Sequence, residues 1–150
     1  MLCSHYPGCV IVLLVADVAK KLELPLFSAH VPAGFPSPAD DHIEGKLDLN
    51  EHIVRRPAAT FFVRASGESM RDAGIFDGDL LIVDRSVTPQ PDDIVIAVLQ
   101  ACLTVKRLKK VAGLWHLAAE NTDYPSLPIV ESDCEIWGVV THSIRRHCGR

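Results

Sequence analysis

No stretch of this 150-residue chain is apolar for long enough to cross a bilayer. The candidate, residues 9–16, stops at Asp17 after eight positions, whereas a spanning helix needs about 20. No Lys or Arg precedes that run, so the positive start of a secretory signal is missing too. Net positive charge is also lacking: 15 Lys plus Arg stand against 19 Asp plus Glu, a balance of −4. A surface of that sign offers phosphate no general attraction, and direct sequence-specific nucleic-acid binding is not expected. The basic cluster Lys106, Arg107, Lys109 and Lys110 reads as a solvated strand end. No Cys-x-x-Cys occurs, and the five cysteines Cys3, Cys9, Cys102, Cys134 and Cys148 are odd in number and scattered. They do not form a recognisable disulfide framework, and a reducing compartment fits them best. His147-Cys148 lacks the spacing of a zinc site, so neither a metal nor another cofactor is expected. Internal repeats and low-complexity segments are absent. The expectation is a cytoplasmic protein with no membrane anchor.

What is present is organised around residues 66–83. Thr60-Phe61-Phe62-Val63-Arg64-Ala65 before this stretch is aromatic and β-branched, as a strand requires, and residues 80–83 form a second short apolar run. Three glycines and Ser69 lie between them. A serine at a strand-to-turn junction exposes its hydroxyl, and backbone N–H groups left unpaired there can face a developing oxyanion. That is half of a nucleophilic site. No His follows Ser69 closely enough to suggest a local triad, and Lys106 is the better candidate for the base. In 103–108 Leu103 and Val105 point to one face and Thr104, Lys106 and Leu108 to the other. Apolar residues on both faces predict a strand buried on both, which would desolvate the lysine and lower its pKa enough to supply a neutral amine.

Elsewhere, residues 10–22 fit an amphipathic helix only loosely, and a strand suits them nearly as well. From 25 to 38 the chain carries Pro25, Pro32, Pro36 and Pro38 with Gly34, a composition that favours extended, poorly packed backbone and reads as a tether. Asp48 is a helix-capping residue with Glu51 three positions on, Leu49 and Ile53 one turn apart, and Pro57 as terminator, so a short helix begins there. Strands are predicted at 60–65, 80–83, 93–99, 103–108, 114–119 and 135–143, which makes the chain mainly β. Asp77-Gly78-Asp79 between two apolar runs signals a tight turn in preference to a metal loop. His52, His116 and His142 are expected at the surface or partly buried, not as bases.

Several blocks in order then resemble one family, the LexA/UmuD-type self-cleaving Ser-Lys peptidases. They are Phe35-Pro36-Ser37-Pro38, Ala65-Ser66-Gly67-Glu68-Ser69-Met70, the run from Gly78 to Asp84, Asp93-Ile94-Val95-Ile96-Ala97, Thr104-Val105-Lys106 and Gly138-Val139-Val140, and the likeness runs from about Leu26 to Ile144. The resemblance implies a compact β-rich peptidase domain at 47–150 and an N-terminal arm and linker at 1–46. It implies Ser69 as nucleophile, Lys106 as base, the backbone N–H groups of Ser69 and Met70 as oxyanion hole, and Ala33-Gly34 as the bond cut. Ala33 stands where UmuD has cysteine, while Ala-Gly is the LexA choice. In UmuD-like members the cut product is a dimer in the SOS response. It joins a UmuC-type subunit in translesion DNA synthesis, and a RecA filament on single-stranded DNA acts as co-protease. The 33 residues before the scissile bond are too few and too poorly patterned for a repressor's helix-turn-helix domain, and the anchor of a type I signal peptidase is missing. The rival reading is a β-rich module that binds a polymerase or other partner, in which Ser66-Gly67-Glu68-Ser69 is only a turn and nothing is cut.

Overall fold

The structure, a computed structural model, describes residues 11–15, 21, 23–27, 33–34, 43–99, 101–129 and 134–149. The chain divides into two compact units, one of Met1–Ala16 with Ala58–Arg150 and the other of Asp17–Pro57. The parts of residues 1–10, 16–20, 28–32 and 35–42 in the expectations above lie outside the described residues.

The larger unit is an eight-stranded antiparallel sheet. Its strands are β1 (Ile11–Val15), β4 (Thr60–Arg64), β5 (Leu80–Asp84), β6 (Ile94–Leu99), β7 (Cys102–Val111), β8 (Leu114–Ala118), β9 (Leu127–Pro128) and β10 (Cys134–Ile144). They lie in the order β1-β4-β5-β10-β6-β7-β8-β9. The chain is therefore mainly β, and the strands predicted from 60 onward appear within a few residues of their expected ends. Between the two readings of residues 10–22, a strand is found at 11–15, paired with β4.

β10 joins the two halves of the sheet. It pairs with β6 through Cys134–Val139 and with β5 through Val139–Ile144, with irregularities between Ile136 and Gly138 and between Val140 and His142. Gly138 sits where strands crowd, since a Cβ there would lie 2.7 Å from Val83 Cγ1. Only glycine fits such an approach without displacing a packed valine. Two apolar clusters build the core: Val63, Ala65, Met70, Ile75, Leu81, Val83, Ile96 and Val105 in one, and Val95, Ala97, Leu108, Leu117 and Val139 in the other. β6 and β7 feed both clusters, because alternate residues of a strand face opposite ways.

In the smaller unit β2 (Glu23–Phe27) pairs antiparallel with β3 (Ile43–Asp48). Pro25 is accommodated in this two-stranded pair because a strand with a free edge can carry a residue that lacks an N–H. The helix α1 (Leu49–Ile53) follows. Asp48 caps it as expected, its Oδ1 accepting the N–H of Asn50 at 3.0 Å and of Glu51 at 3.5 Å.

One cysteine expectation does not hold. Cys102 is disulfide-bonded, whereas Cys134 is a free thiol. Among the described residues no helix is long and apolar enough to cross a membrane.

Candidate active site

Ser69 lies in the turn that leaves β4, immediately before the short 3-10 helix Arg71–Ala73. Gly67 makes the entry with φ 88°, a left-handed conformation that side-chain-bearing residues adopt only at a cost. Its N–H donates to Asp77 Oδ1 at 2.8 Å, tying the start of the turn to its far side. Met70 and Ile75 from the same loop enter the first apolar cluster, so packing anchors the turn from below.

Lys106 projects from the middle of β7. The strand is buried on both faces there: Val105 belongs to one cluster and Leu108 to the other. Lys106 Nζ comes 2.8 Å from Ser69 Oγ and 3.1 Å from the Val105 carbonyl oxygen, and both Lys106 and Ser69 are buried. Burial pushes the Lys106 ammonium below the ordinary lysine range, because removing water disfavours the charged form. A lysine so placed can exist as the free amine and accept the serine proton.

The other expected site residues fall as follows. Met70 is buried beside Ser69, and among the described residues the backbone N–H groups of Ser69 and Met70 have no acceptor, as groups available to an anion must. Ala33 and Gly34 form an exposed bend in the smaller unit. Gly78, with φ 84°, closes the Asp77-Gly78-Asp79 turn. Among the described residues no group of His, Cys, Asp and Glu side chains could hold a metal ion.

Several residues around the turn escape sequence reasoning. Asp79 is buried, and its oxygens accept from Arg145 Nε at 2.9 Å and Nη2 at 2.6 Å. The Arg145 hydrogen bonds hold the Asp79 carboxyl below the usual carboxylate range. Arg145 also donates to the Gly74 carbonyl at 2.6 Å and lies 3.7 Å from the Phe76 ring centroid. On the other side, the Glu120 N–H donates to the Ser69 carbonyl at 2.8 Å and Asn121 Nδ2 to the Glu68 carbonyl at 2.9 Å. The basic run 106–110 is not a uniformly solvated end: Lys106 is buried, Arg107 pairs with Glu120, and Lys109 pairs with Asp92.

The site is thus an antiparallel β framework that buries the Lys106 amine against the turn that carries Ser69. The chain belongs to the Peptidase S24-like family, which matches residues 25–141, and it is UmuD-like and LexA-type within that family. It is 46% identical to Protein SamA of Salmonella typhimurium over 136 residues, covering 89% of this chain and 95% of that protein. With Protein ImpA of Escherichia coli the identity is 50% over 123 residues, covering 81% and 83%. With the LexA repressor of Colwellia psychrerythraea it is 35% over 134 residues, covering 88% of this chain and 63% of the repressor.

Proposed function

We propose that the protein is a serine endopeptidase that cuts its own arm at Ala33-Gly34, with Ser69 as nucleophile and Lys106 as general base. One observation carries the reading: Nζ of a buried lysine stands 2.8 Å from Oγ of a buried serine.

In this reading the neutral Lys106 amine accepts the Ser69 proton while Oγ bonds to the Ala33 carbonyl carbon. The oxyanion is held by the N–H groups of Ser69 and Met70. Collapse breaks the C–N bond, and the Lys106 ammonium returns its proton to the Gly34 nitrogen. Water then attacks the Ala33 ester, giving its proton to Lys106, and Ser69 leaves with a proton regained. The products are a carboxylate on Ala33 and a fragment of residues 34–150, which is 117 residues long.

The likeness to SamA, ImpA and the LexA repressor supports placing this cut in the SOS response. The arm and linker, residues 1–46, are then the substrate and residues 47–150 the peptidase. The 117-residue product forms a homodimer that joins a UmuC-type polymerase subunit for translesion synthesis, and a RecA filament on single-stranded DNA promotes the cut. Intact mass after incubation with RecA, single-stranded DNA and nucleotide tests the reading. The 117-residue fragment is expected, and an unchanged mass favours a non-cleaving interaction module.

A further inference from the structure

Lys106 and Arg107 are neighbours on β7, so the pleat sends their side chains to opposite faces. Lys106 reaches the Ser69 hydroxyl directly. Arg107 reaches the same turn by a longer route. Its Nε donates to Glu120 Oε1, and its Nη1 donates to the Asp92 carbonyl at 2.6 Å. Glu120 in turn grips the nucleophile turn through its own backbone: its N–H donates to the Ser69 carbonyl and its carbonyl accepts the Asp72 N–H, both at 2.8 Å. Asn121, buried, adds the bond to the Glu68 carbonyl, and its Oδ1 accepts the Asp123 N–H at 3.0 Å. Residues 68, 69 and 72 are thus all fastened to the segment 120–121, and that segment is fastened to the strand that carries the base.

We infer that Arg107 and Glu120 are positioning residues that set the register of Ser69 against Lys106, a role that rests on the proposed self-cleavage. The pair touches no reacting atom. Its side chains are 22% and 26% exposed, so it is shielded enough to hold a fixed geometry. Its chemical value is distance: a proton transfer over 2.8 Å fails when the serine drifts by an ångström. A merely stabilising ion pair would alter the unfolding temperature and leave the rate of cutting untouched.

The test uses the full chain with Arg107→Met, Arg107→Lys, Glu120→Ala and the double variant Arg107→Met/Glu120→Ala. Self-cleavage is followed by intact mass across pH, and backbone amide exchange is measured alongside. Arg107→Met is expected to lower the plateau rate by about tenfold to a hundredfold without moving the pH at which the plateau begins, because Lys106 stays buried by the same side chains. Arg107→Lys should recover to within about threefold, and the double variant should be no slower than the slower single one, since the two residues act as a unit. The Glu120 and Asp72 amides should exchange about tenfold faster in Arg107→Met, while the Ala65 amide, bonded to the Asp79 carbonyl, is unchanged. An unaltered plateau rate overturns the inference, and so does a shifted plateau pH, which would mean that Arg107 acts through the charge of Lys106. If the unaltered chain never cuts itself, the proposed function falls and exchange alone decides the inference: faster exchange at Glu120 and Asp72 upholds the register lock, and unchanged rates overturn it.

Discussion

Ser69 sits in a turn tied down at residue after residue, whereas Ala33 and Gly34 lie in an exposed bend where a Cβ on the glycine would meet nothing within 4 Å. Around the serine, Gly67 is held by Asp77, the Ser69 carbonyl by Glu120, the Glu68 carbonyl by Asn121 and the Gly74 carbonyl by Arg145. A nucleophile gains from such preorganisation, because geometry fixed by folding need not be bought again in the transition state. A scissile bond must instead be extended, accessible and able to enter a cleft. Changes at the turn should therefore act on the chemistry itself, and changes at the arm on how the bond is presented.

The sharpest break of that comparison removes the nucleophile or the base. Ser69→Ala should leave the fold intact and abolish formation of the 117-residue fragment, a loss of at least about 10⁴-fold. Lys106→Arg should be equally inactive, since a guanidinium stays protonated at any workable pH. Ser66→Ala, at an exposed position, should still cut. A dead Ser66 variant beside an active Ser69 variant would reassign the nucleophile. On the arm side, Gly34→Glu adds bulk and charge beside the attacked carbonyl, and cutting should drop by about a hundredfold or more with the thermal midpoint unchanged. Normal processing of that variant, read from the product mass, would move the scissile bond elsewhere.

The two regions also differ in how far they could be read from the sequence. Most strand positions from residue 60 onward were legible, and so was the burial of Lys106, because the alternation in 103–108 is local and apolar on both faces. The α1 cap was legible because Asp48 and Glu51 lie within one turn. The bonds that fix the serine were not. Arg145 meets Asp79 across 66 positions and Asn121 meets Glu68 across 53, and no local pattern encodes either meeting. The sequence nominates Ser69 and Lys106 separately, and their approach across 37 positions is a product of the sheet order. β3 was missed because Glu44-Gly45-Lys46 carries little of the β-branched character that marks a strand, and β9 because two residues carry no period.

A lysine base should leave a signature in pH. Near pH 7.4 only about one lysine in a thousand of ordinary pKa is neutral. The rate of self-cleavage without RecA should climb about tenfold per pH unit and level off below the ordinary lysine value of 10.5, since burial lowers the folded pKa. A histidine base would level off near pH 6.5. RecA that docks the arm over the amine should shift the plateau toward neutral pH. The same shift bears on stability. With the folded pKa below 10.5, the unfolded chain binds more protons between the two values, so stability rises with pH through that window. Lys106→Met should accordingly unfold at a higher temperature than the wild type at pH 7, with the gap closing toward pH 10.5. A rate independent of pH would remove Lys106 from the mechanism.

The smallest effects compare two acids that share a cause and differ in setting. Both Asp79 and Asp92 have a lowered pKa, the first chiefly through hydrogen bonding from Arg145 and the second from Lys109. Asp79 is buried beneath the nucleophile turn, while Asp92 is exposed. Asp79→Asn leaves the Arg145 guanidinium without its anion and should lower the thermal midpoint at pH 7 by about 5 °C. Because the folded pKa of Asp79 lies below 3.8, its contribution is present above that pH and disappears as pH falls through the folded value. The difference between wild type and Asp79→Asn should therefore fade in acid. Asp92→Asn should shift the midpoint by less than about 1 °C, because water and salt screen an exposed pair. Asparagine also tolerates the φ of 72° that Asp92 adopts, so no backbone strain confuses the comparison. Equal shifts from the two substitutions, or a gap for Asp79→Asn that persists at pH 2, would show that burial of the Arg145 pair does not set the firmness of the turn that carries Ser69.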